Sequence, residues 1–324
     1  MTRRALLAAA LGGVAATCAG CGVTLQRGAP AIPLLPTPTR QPVADEDLLR
    51  GAWRDTQRLG DAAASVTGPQ RQLCRRLAAV HRAQHRALDR MLRRAGVPLP
   101  PAPGATAASA GPSGGGPSPT PPATRSRVSA DALAAREAAA VGSAALDRLG
   151  RSTSSGLPTL AAVAAQRAAA ATLLGAAPRW SGASRLPPDA AATVLKATRP
   201  AVYAFQVVTA RAEHGLRRRA SRTLVALQVQ ERSLEAWAGS AAPAPPLGYE
   251  LPGPARSPEQ LRALAQAGLA PLLPATAALL AAAAGQRTEV ATLVRLLAQQ
   301  ATWATQWGVS LAPFPGLTAP GLTS

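Results

Sequence analysis

Apolar residues recur every three or four positions along most of the chain, and this spacing strongly restricts what it can fold into. Such a period places apolar side chains on one face of an α-helix, whereas β-strands need alternating apolar and polar residues between turns. No stretch of the sequence shows that alternation. The sequence therefore predicts an all-α protein of about eight helices, whose one-sided apolar faces pack against each other.

Segments rich in proline, glycine and serine divide this helical pattern into three parts. A helical pair is predicted at 45–96, a second pair at 128–177, and a bundle at 189–317. The stretch 97–127 between the first two parts has almost no large apolar residue to bury. We expect it to be a disordered linker that splits the N-terminal helical unit.

The first 20 residues have the pattern of a lipoprotein signal peptide. Basic residues precede the apolar run Ala5–Thr17, which is too short to cross a bilayer as a helix. The triplet Ala19-Gly20-Cys21 resembles the end of a bacterial lipobox, although Cys18 occupies the position of the usual aliphatic residue. The sequence thus predicts acylation of Cys21 with a fatty acid such as palmitate, and an ordinary cleaved signal is the alternative.

This signal places the protein outside the cytoplasm, held at the cell membrane by a lipid on Cys21. Proline recurs through residues 21–44, which we interpret as an extended tether. The basic start of the signal also resembles a twin-arginine export motif, so the sequence leaves the export route open.

Few residue types suited to catalysis are present. Three histidines and three cysteines are too few for a Cys/His zinc module or a disulfide framework. If Cys21 is the first mature residue, Cys74 is the only free thiol that remains, and its helical pattern favours a buried apolar role. We assign no catalytic residue and no cofactor.

The second predicted helix contains a pair of histidines. His81 and His85 lie one turn apart at the edge of its apolar face, a spacing that two ligands of one metal ion can have. No glutamate lies between them, as a HEXXH zinc protease would require. The alternative is a pair of histidines that form hydrogen bonds inside the bundle.

The same helix is strongly basic, in a chain whose formal net charge is +19. Residues 71–94 include eight arginines and one aspartate, and most of these arginines fall opposite the apolar face. Outside a membrane, such a face could contact anionic lipids or wall polymers, and the alternative is a solvated surface. The export signal and the lack of interleaved aromatic residues argue against nucleic acid.

Three short segments resemble a ferritin-like domain of unknown function found in actinobacterial lipoproteins. They are Ala-Thr-Arg-Pro-Ala-Val-Tyr-Ala-Phe at 197–205, Tyr-Glu-Leu-Pro at 249–252, and Pro-Phe-Pro-Gly-Leu at 313–317. The resemblance covers residues 189–317 and implies a ferritin-like four-helix bundle. It implies no known activity.

The chain departs from this family at the positions where metal ligands would be expected. The family pattern begins with Glu-His, and here Thr198 and Arg199 replace that pair. Di-iron bundles use several acids and Glu-x-x-His pairs, and this sequence has no Glu-x-x-His. Glu231 falls within the apolar stripe of its helix, so we expect a buried ion pair with Arg199, and a metal ligand is the alternative.

The sequence thus favours a non-enzymatic binding or scaffolding role at the cell envelope, with a metal-free bundle and no identified protein partner. One alternative is a ferritin-like metal-binding protein or metalloenzyme that uses His81, His85 and Glu231. Another is a pocket between helices that holds a small ligand against tryptophan side chains. The candidates for such a pocket are Trp180, Trp237, Trp303 and Trp307.

Overall fold

The computed structural model describes residues 40–100, 128–180, 182, 185–251, 253 and 255–318. The predicted signal peptide, Cys21, most of the tether and most of the linker lie outside these ranges. The described residues contain no β-strand, which confirms the all-α prediction. Among them, no helix is both long enough and apolar enough to cross a membrane.

Ten α-helices are present in the described residues, with short 3-10 turns at Ala139–Val141 and Gly239–Ala241. In chain order the helices are α1 (Glu46–Ser65), α2 (Arg71–Arg94), α3 (Ala130–Ala138), α4 (Ser143–Leu149), α5 (Leu157–Leu173), α6 (Pro188–Arg211), α7 (His214–Ala238), α8 (Pro258–Leu269), α9 (Leu272–Ala277) and α10 (Arg287–Gln306).

Two helices begin at the caps that the sequence predicts. The Ser129 side chain accepts a hydrogen bond from the backbone N–H of Ala132. Ser257 forms a full capping box with Gln260, and proline occupies the first position of α8. Side-chain caps satisfy backbone N–H groups that the first helical turn leaves without partners.

Two stretches that keep a continuous helical period in the sequence are each broken in the structure. The segment from 129 to 149 separates into α3 and α4 at Gly142, whose ψ of 157° is extended rather than helical. The segment from 258 to 284 ends its first helix at Leu269, because Pro271 and Pro274 cannot donate backbone hydrogen bonds. Pro200, in contrast, lies within a continuous α6.

Three packing relationships organise the helices. α1 and α2 form one hairpin, and α6 and α7 form another. α10 packs mainly against α5 and also contacts α4, α8 and α9. α10 is therefore the central helix of the described unit. The described residues from Pro42 onward belong to one compact unit.

One hydrophobic core joins all three helical parts that the sequence predicts. It contains Trp53 and Leu88 from the first pair, Leu160 from the second, and Val194 and Leu293 from the bundle. The linker predicted between the first two parts therefore interrupts the chain without dividing the core.

Small side chains let the helices approach closely. Almost all of α5 is buried, and most of its buried residues are alanines. At the contact of α6 with α8, a Cβ atom on Gly268 would lie 2.9 Å from Cβ of Ala204, closer than such atoms pack. The alanine-rich sequence thus forms a thin core in which leucine and valine supply most of the apolar burial.

Candidate functional site

The central helix α10 is buried on nearly every side except for one polar stripe. Between Val290 and Gln306, the exposed residues are Arg295, Gln299 and Gln306. Their spacing of four and seven residues places all three on the same face of the helix. A guanidinium and two primary amides therefore reach solvent from a helix that otherwise lies in the core.

Three adjoining cavities open over this stripe, and together we call them the α10 cleft. Their volumes are about 330, 450 and 240 Å³. The first shares Trp303 and Gln306 with the second, and it shares Arg295 and Gln299 with the third. The cleft therefore extends along α10, between α7 on one side and the chain that follows α5 on the other.

Tryptophans form much of the apolar wall of the cleft. Trp180 and Trp303 line the first cavity, and Trp237 lines the third. Trp307 is buried beside the cleft, where its ring meets Phe205 edge-on at 5.1 Å. Three of the four tryptophans proposed from sequence as pocket residues thus lie in cavity walls.

A buried amide on α7 borders the third cavity. Gln230 is only 5% exposed, and its Nε2 donates a hydrogen bond to Thr198 Oγ1 at 3.0 Å. Its Oε1 has no hydrogen-bond partner among the described residues, although the side chain lines the cavity. An unsatisfied buried acceptor costs about 1–3 kcal/mol.

The charged groups that line the cleft are all positive. Arg219 and Arg222 line the second cavity, and Arg295 lies where the first and third cavities meet. Arg219 also donates to the backbone oxygen of Gln306, and its guanidinium lies 5.2 Å from the centre of the Trp307 ring. It is therefore held in place at this end of the cleft.

No aspartate, glutamate, histidine or cysteine is among the described residues that line these three cavities. The hydroxyl of Ser233 lines the third cavity and already donates to the backbone oxygen of Val229 at 3.0 Å. The described lining offers cationic, amide and aromatic groups but no acid or base that titrates near neutral pH. Such a lining can bind an anion more readily than it can transfer a proton.

His81 is fully buried, deeper than the boundary position predicted for it. Its Nε2 lies 2.6 Å from Oε1 of the buried Glu137, and its Nδ1 lies 3.1 Å from Oε1 of Gln84. The Gln84 amide nitrogen donates to the backbone oxygen of Pro313. This bond orients the Gln84 side chain so that its Oε1 faces His81. Both ring nitrogens thus lie within hydrogen-bond distance of side-chain oxygens.

Arg167 extends this polar cluster toward the surface. Its Nε lies 3.3 Å from Glu137 Oε2, and Nη1 lies 3.4 Å from the partly exposed Asp55. We call His81, Gln84, Glu137 and Arg167 the buried polar cluster. Sequence reasoning missed Glu137 and Arg167, because nothing in their local pattern marks them as partners of a histidine 56 or more residues away.

The two predicted histidines use their ring nitrogens on different partners. His85 Nδ1 lies 3.0 Å from the backbone oxygen of Trp53, and the two rings stack at 4.9 Å. Both histidines therefore form hydrogen bonds inside the helical unit, as the alternative to a metal site expects. Across the part of the chain that the structure describes, no three His, Cys, Asp or Glu side chains are grouped to hold a metal ion.

Cys74 lies in the apolar cluster formed by α1, α2 and α3, as its sequence pattern predicts. Burial raises the pKa of its thiol above the ordinary value, so less of it ionises at neutral pH. The thiolate is the nucleophilic form of cysteine. The position thus favours a packing role over a reactive one.

Arg199 pairs with α7, but its closer carboxylate differs from the one predicted. Its Nη2 donates to Glu235 at 2.8 Å, whereas Glu231 lies 3.8 Å from its Nε. The expected pairing of Glu231 with Arg199 is present, but the Glu231 side chain is 21% exposed, so the pair is only partly buried. The wheel angle of Glu231 points toward the apolar stripe, but its long side chain reaches solvent at the edge of the hairpin.

Replacing Glu231 by glutamine is expected to leave the melting temperature at pH 7 unchanged or slightly higher. Burial is the largest cause that raises the pKa of Glu231, Glu235 raises it further, and Arg199 and Arg232 lower it only in part. A carboxyl with a raised pKa in the folded chain is costly to ionise there, so neutral glutamine removes a cost present at pH 7.

This cost disappears at acidic pH, where Glu231 is protonated in both the folded and the unfolded chain. The difference in melting temperature between wild type and Glu231→Gln should therefore shrink as pH falls from 7 to about 3.5. Differential scanning calorimetry at several pH values measures it. A drop of many degrees for the variant at pH 7 would restore the buried-pair interpretation.

No protein-family model, characterised protein or solved structure matches this chain. The ferritin-like resemblance of residues 189–317 thus remains a prediction from the sequence.

Proposed function

We propose that the protein is an exported lipoprotein whose helical unit binds a small anionic ligand in the α10 cleft, without catalysing a reaction. The single observation that carries this proposal is the open polar stripe of α10. Arg295, Gln299 and Gln306 face solvent from an otherwise buried central helix, and tryptophans flank them. Polar groups that converge among apolar walls are the usual composition of a ligand site.

The lining groups also indicate the chemical class of the ligand. Arg219, Arg222 and Arg295 favour an anion, since guanidinium groups bind carboxylate and phosphate through paired N–H donors. The exposed amides of Gln299 and Gln306 suit hydroxyl or amide groups, which donate as well as accept. The apolar ring faces of Trp180 and Trp303 suit a flat or ring-shaped body. An acidic saccharide combines these three features.

The bundle from α6 to α10 is proposed to be a degenerate ferritin-like bundle that holds no metal. Where the resembling family has Glu-His, this chain has Thr198 and Arg199. The Thr198 hydroxyl donates to the backbone oxygen of Val194 and accepts from Gln230, and Arg199 bonds to Glu235. These contacts hold the two residues within the α6–α7 hairpin and support a structural role for them.

The proposed location at the outer face of the membrane rests on Ala19-Gly20-Cys21 and the apolar run before it. A lipid on Cys21 would hold the helical unit at the envelope, where acidic saccharides are components of surface polymers. Binding or scaffolding there needs no catalytic residue.

The ligand site can be tested by native mass spectrometry and by tryptophan fluorescence. We expect protein extracted from membranes to carry a bound anion, and glucuronate to change its fluorescence where glucose does not. Removing the exposed amides in Gln299→Leu/Gln306→Leu should weaken glucuronate binding about tenfold, because each hydrogen bond between neutral groups contributes about 0.5–1.5 kcal/mol.

A matched control removes two exposed amides that lie outside the cleft. Gln72→Leu/Gln286→Leu makes the same chemical change on α2 and before α10 and should leave binding unchanged. Equal loss in both double variants would contradict the cleft as the binding site. So would native spectra without a bound anion, combined with no response to glucuronate or to other acidic sugars.

A further inference from the structure

A second charged surface lies on α2, far along the chain from the α10 cleft. All eight arginines of this helix are exposed, and its single acid, Asp89, bonds to Arg93 at 2.8 Å. We define the α2 basic face as the arginines opposite the buried side of the helix. They are Arg75, Arg82, Arg86, Arg90 and Arg93.

Most of this charge has no counterion within the protein. Arg75, Arg82, Arg86 and Arg90 form no ion pair or side-chain hydrogen bond with any described residue, whereas exposed arginines on α1 and α8 do form ion pairs. Like charges spaced along one helix face repel each other. An external anionic surface would relieve that repulsion.

The C-terminal half of the face borders a small niche with an apolar floor. Arg86 and Arg90 line a cavity of about 180 Å³ together with Pro313, the buried Phe314 and the half-buried Leu317. Two guanidinium groups above apolar side chains can hold a phosphate while the adjoining part of the same molecule rests on hydrocarbon.

The niche lies at the end of the hairpin where the chain enters the described unit. His85 contacts Trp53, and a Cβ atom on Gly60 would lie 3.5 Å from that of His81, so α1 and α2 run antiparallel. The end of α2 is therefore adjacent to the start of α1 at Glu46. The chain between Cys21 and Glu46 spans at most about 90 Å when fully extended, so an anchor on Cys21 holds this end within that distance of the bilayer.

We propose that the α2 basic face binds the surface of an anionic bilayer, with one phosphate headgroup in the niche between Arg86 and Arg90. The apolar floor of Phe314 and Leu317 favours a lipid over a wall polymer, which carries charge but no acyl chain. This contact is separate from the α10 cleft and needs no lipid on Cys21. It would orient the helical unit on the membrane that the anchor selects.

The test uses residues 40–324, which lack Cys21 and contain the whole compact unit with its own core. We expect this protein to co-sediment with vesicles of about 30 mol% phosphatidylglycerol in phosphatidylcholine, and not with pure phosphatidylcholine. Binding should be lost in about 0.5 M NaCl, because salt screens charges at an exposed surface.

Charge reversal in the niche provides the decisive comparison. Arg86→Glu/Arg90→Glu should weaken vesicle binding at least about tenfold, since each arginine near an anionic surface contributes substantially to attraction. The matched control Arg218→Glu/Arg256→Glu reverses two exposed arginines away from α2 and should bind as wild type does. Circular dichroism confirms folding of each variant, and Arg86→Gln/Arg90→Gln replaces the reversal if that variant unfolds.

Several outcomes would overturn the proposal. They are equal binding to neutral and anionic vesicles, no binding to anionic vesicles, and equal loss in the control variant. Binding to inorganic polyphosphate without binding to vesicles would identify a polymer as the partner instead. None of these results bears on the α10 cleft, so a failure here leaves the proposed ligand site to its own test.

Discussion

Replacing Glu137 by glutamine should lower the free energy of unfolding by about 3–5 kcal/mol, the usual loss when one member of a buried ion pair is removed. Glu137 is fully buried and accepts from His81 at 2.6 Å and from Arg167 at 3.3 Å. Without its carboxylate, two donors from separate helices face a neutral amide whose own N–H groups need acceptors. Such a loss is a large fraction of the stability of a typical domain.

The other partners of Arg167 and His81 can replace little of the interaction lost with the Glu137 carboxylate. Arg167 also donates to the backbone oxygen of Arg136 and approaches Asp55, but the Asp55 carboxylate is 39% exposed and 3.4 Å away. A partly solvated partner at that distance replaces little of the lost interaction. His81 has Gln84 as its only other hydrogen-bond partner among the described residues.

Urea unfolding followed by circular dichroism measures this effect, and Glu235→Gln is the matched control. Glu235 also bonds to an arginine between helices, but its side chain is 43% exposed, so its loss should cost no more than about 1 kcal/mol. Similar midpoints for Glu137→Gln and wild type would show that the buried polar cluster contributes little to stability. The denaturant slope should stay constant if only stability changes.

Helical periodicity predicts the fold class because burial of one face is a local property of the sequence. The positions of α1, α2 and α10, the caps at Ser129 and Ser257, and the burial of Cys74 all follow from spacing within about one turn. The break at Gly142 was missed because its flanking residues keep the helical period, whereas Pro271 and Pro274 already mark a disturbance after Leu269 in the sequence. Backbone geometry, rather than side-chain pattern, decides where those helices end.

The partners of buried polar groups could not be predicted, since they depend on how distant helices pack. Glu137 lies on a short alanine-rich helix that looks amphipathic, and only the packing of α3 against α5 and α1 brings it to His81 of α2. Glu231 shows the reverse error. Its wheel angle suggested burial, but the α6–α7 contact leaves its side chain at the rim and presents Glu235 to Arg199.

The α10 cleft was visible in the sequence only as scattered tryptophans and a polar stripe. Arg295, Gln299 and Gln306 share a face in any helical projection, and this pattern normally marks a surface helix. Their significance arises because the rest of α10 is buried by α5, α8 and α9. The polar stripe can be found by helical projection of the sequence, but only the packing of the helices shows that it lies at the base of a cleft.

Replacing Cys21 by alanine should release the protein from membranes almost completely when they are washed with about 0.5 M NaCl. The expectation rests on Ala19-Gly20-Cys21 after the apolar run Ala5–Thr17, and on the thiol as the atom that takes the lipid. Each buried CH₂ group of an acyl chain contributes about 0.8 kcal/mol of membrane affinity, so several chains bind almost irreversibly and their loss is decisive.

The ionic strength of the wash separates this anchor from the α2 basic face. At low salt, Cys21→Ala should remain partly on anionic membranes through Arg86 and Arg90, whereas about 0.5 M NaCl should remove it. Wild type should stay in the membrane fraction at both salt concentrations, because burial of acyl chains does not depend on charge. Cys18→Ala serves as the matched control and should leave membrane retention unchanged.

Metabolic labelling with a fatty acid completes the test. Wild type and Cys18→Ala should both take up the label, and Cys21→Ala should not. A wild-type protein that takes up no label and leaves the membrane in about 0.5 M NaCl would show that the segment is an ordinary cleaved signal, since only the charge contact would then hold the protein. Retention of unlabelled Cys21→Ala in high salt would instead indicate an uncleaved apolar N-terminus as the anchor, because salt does not weaken apolar burial.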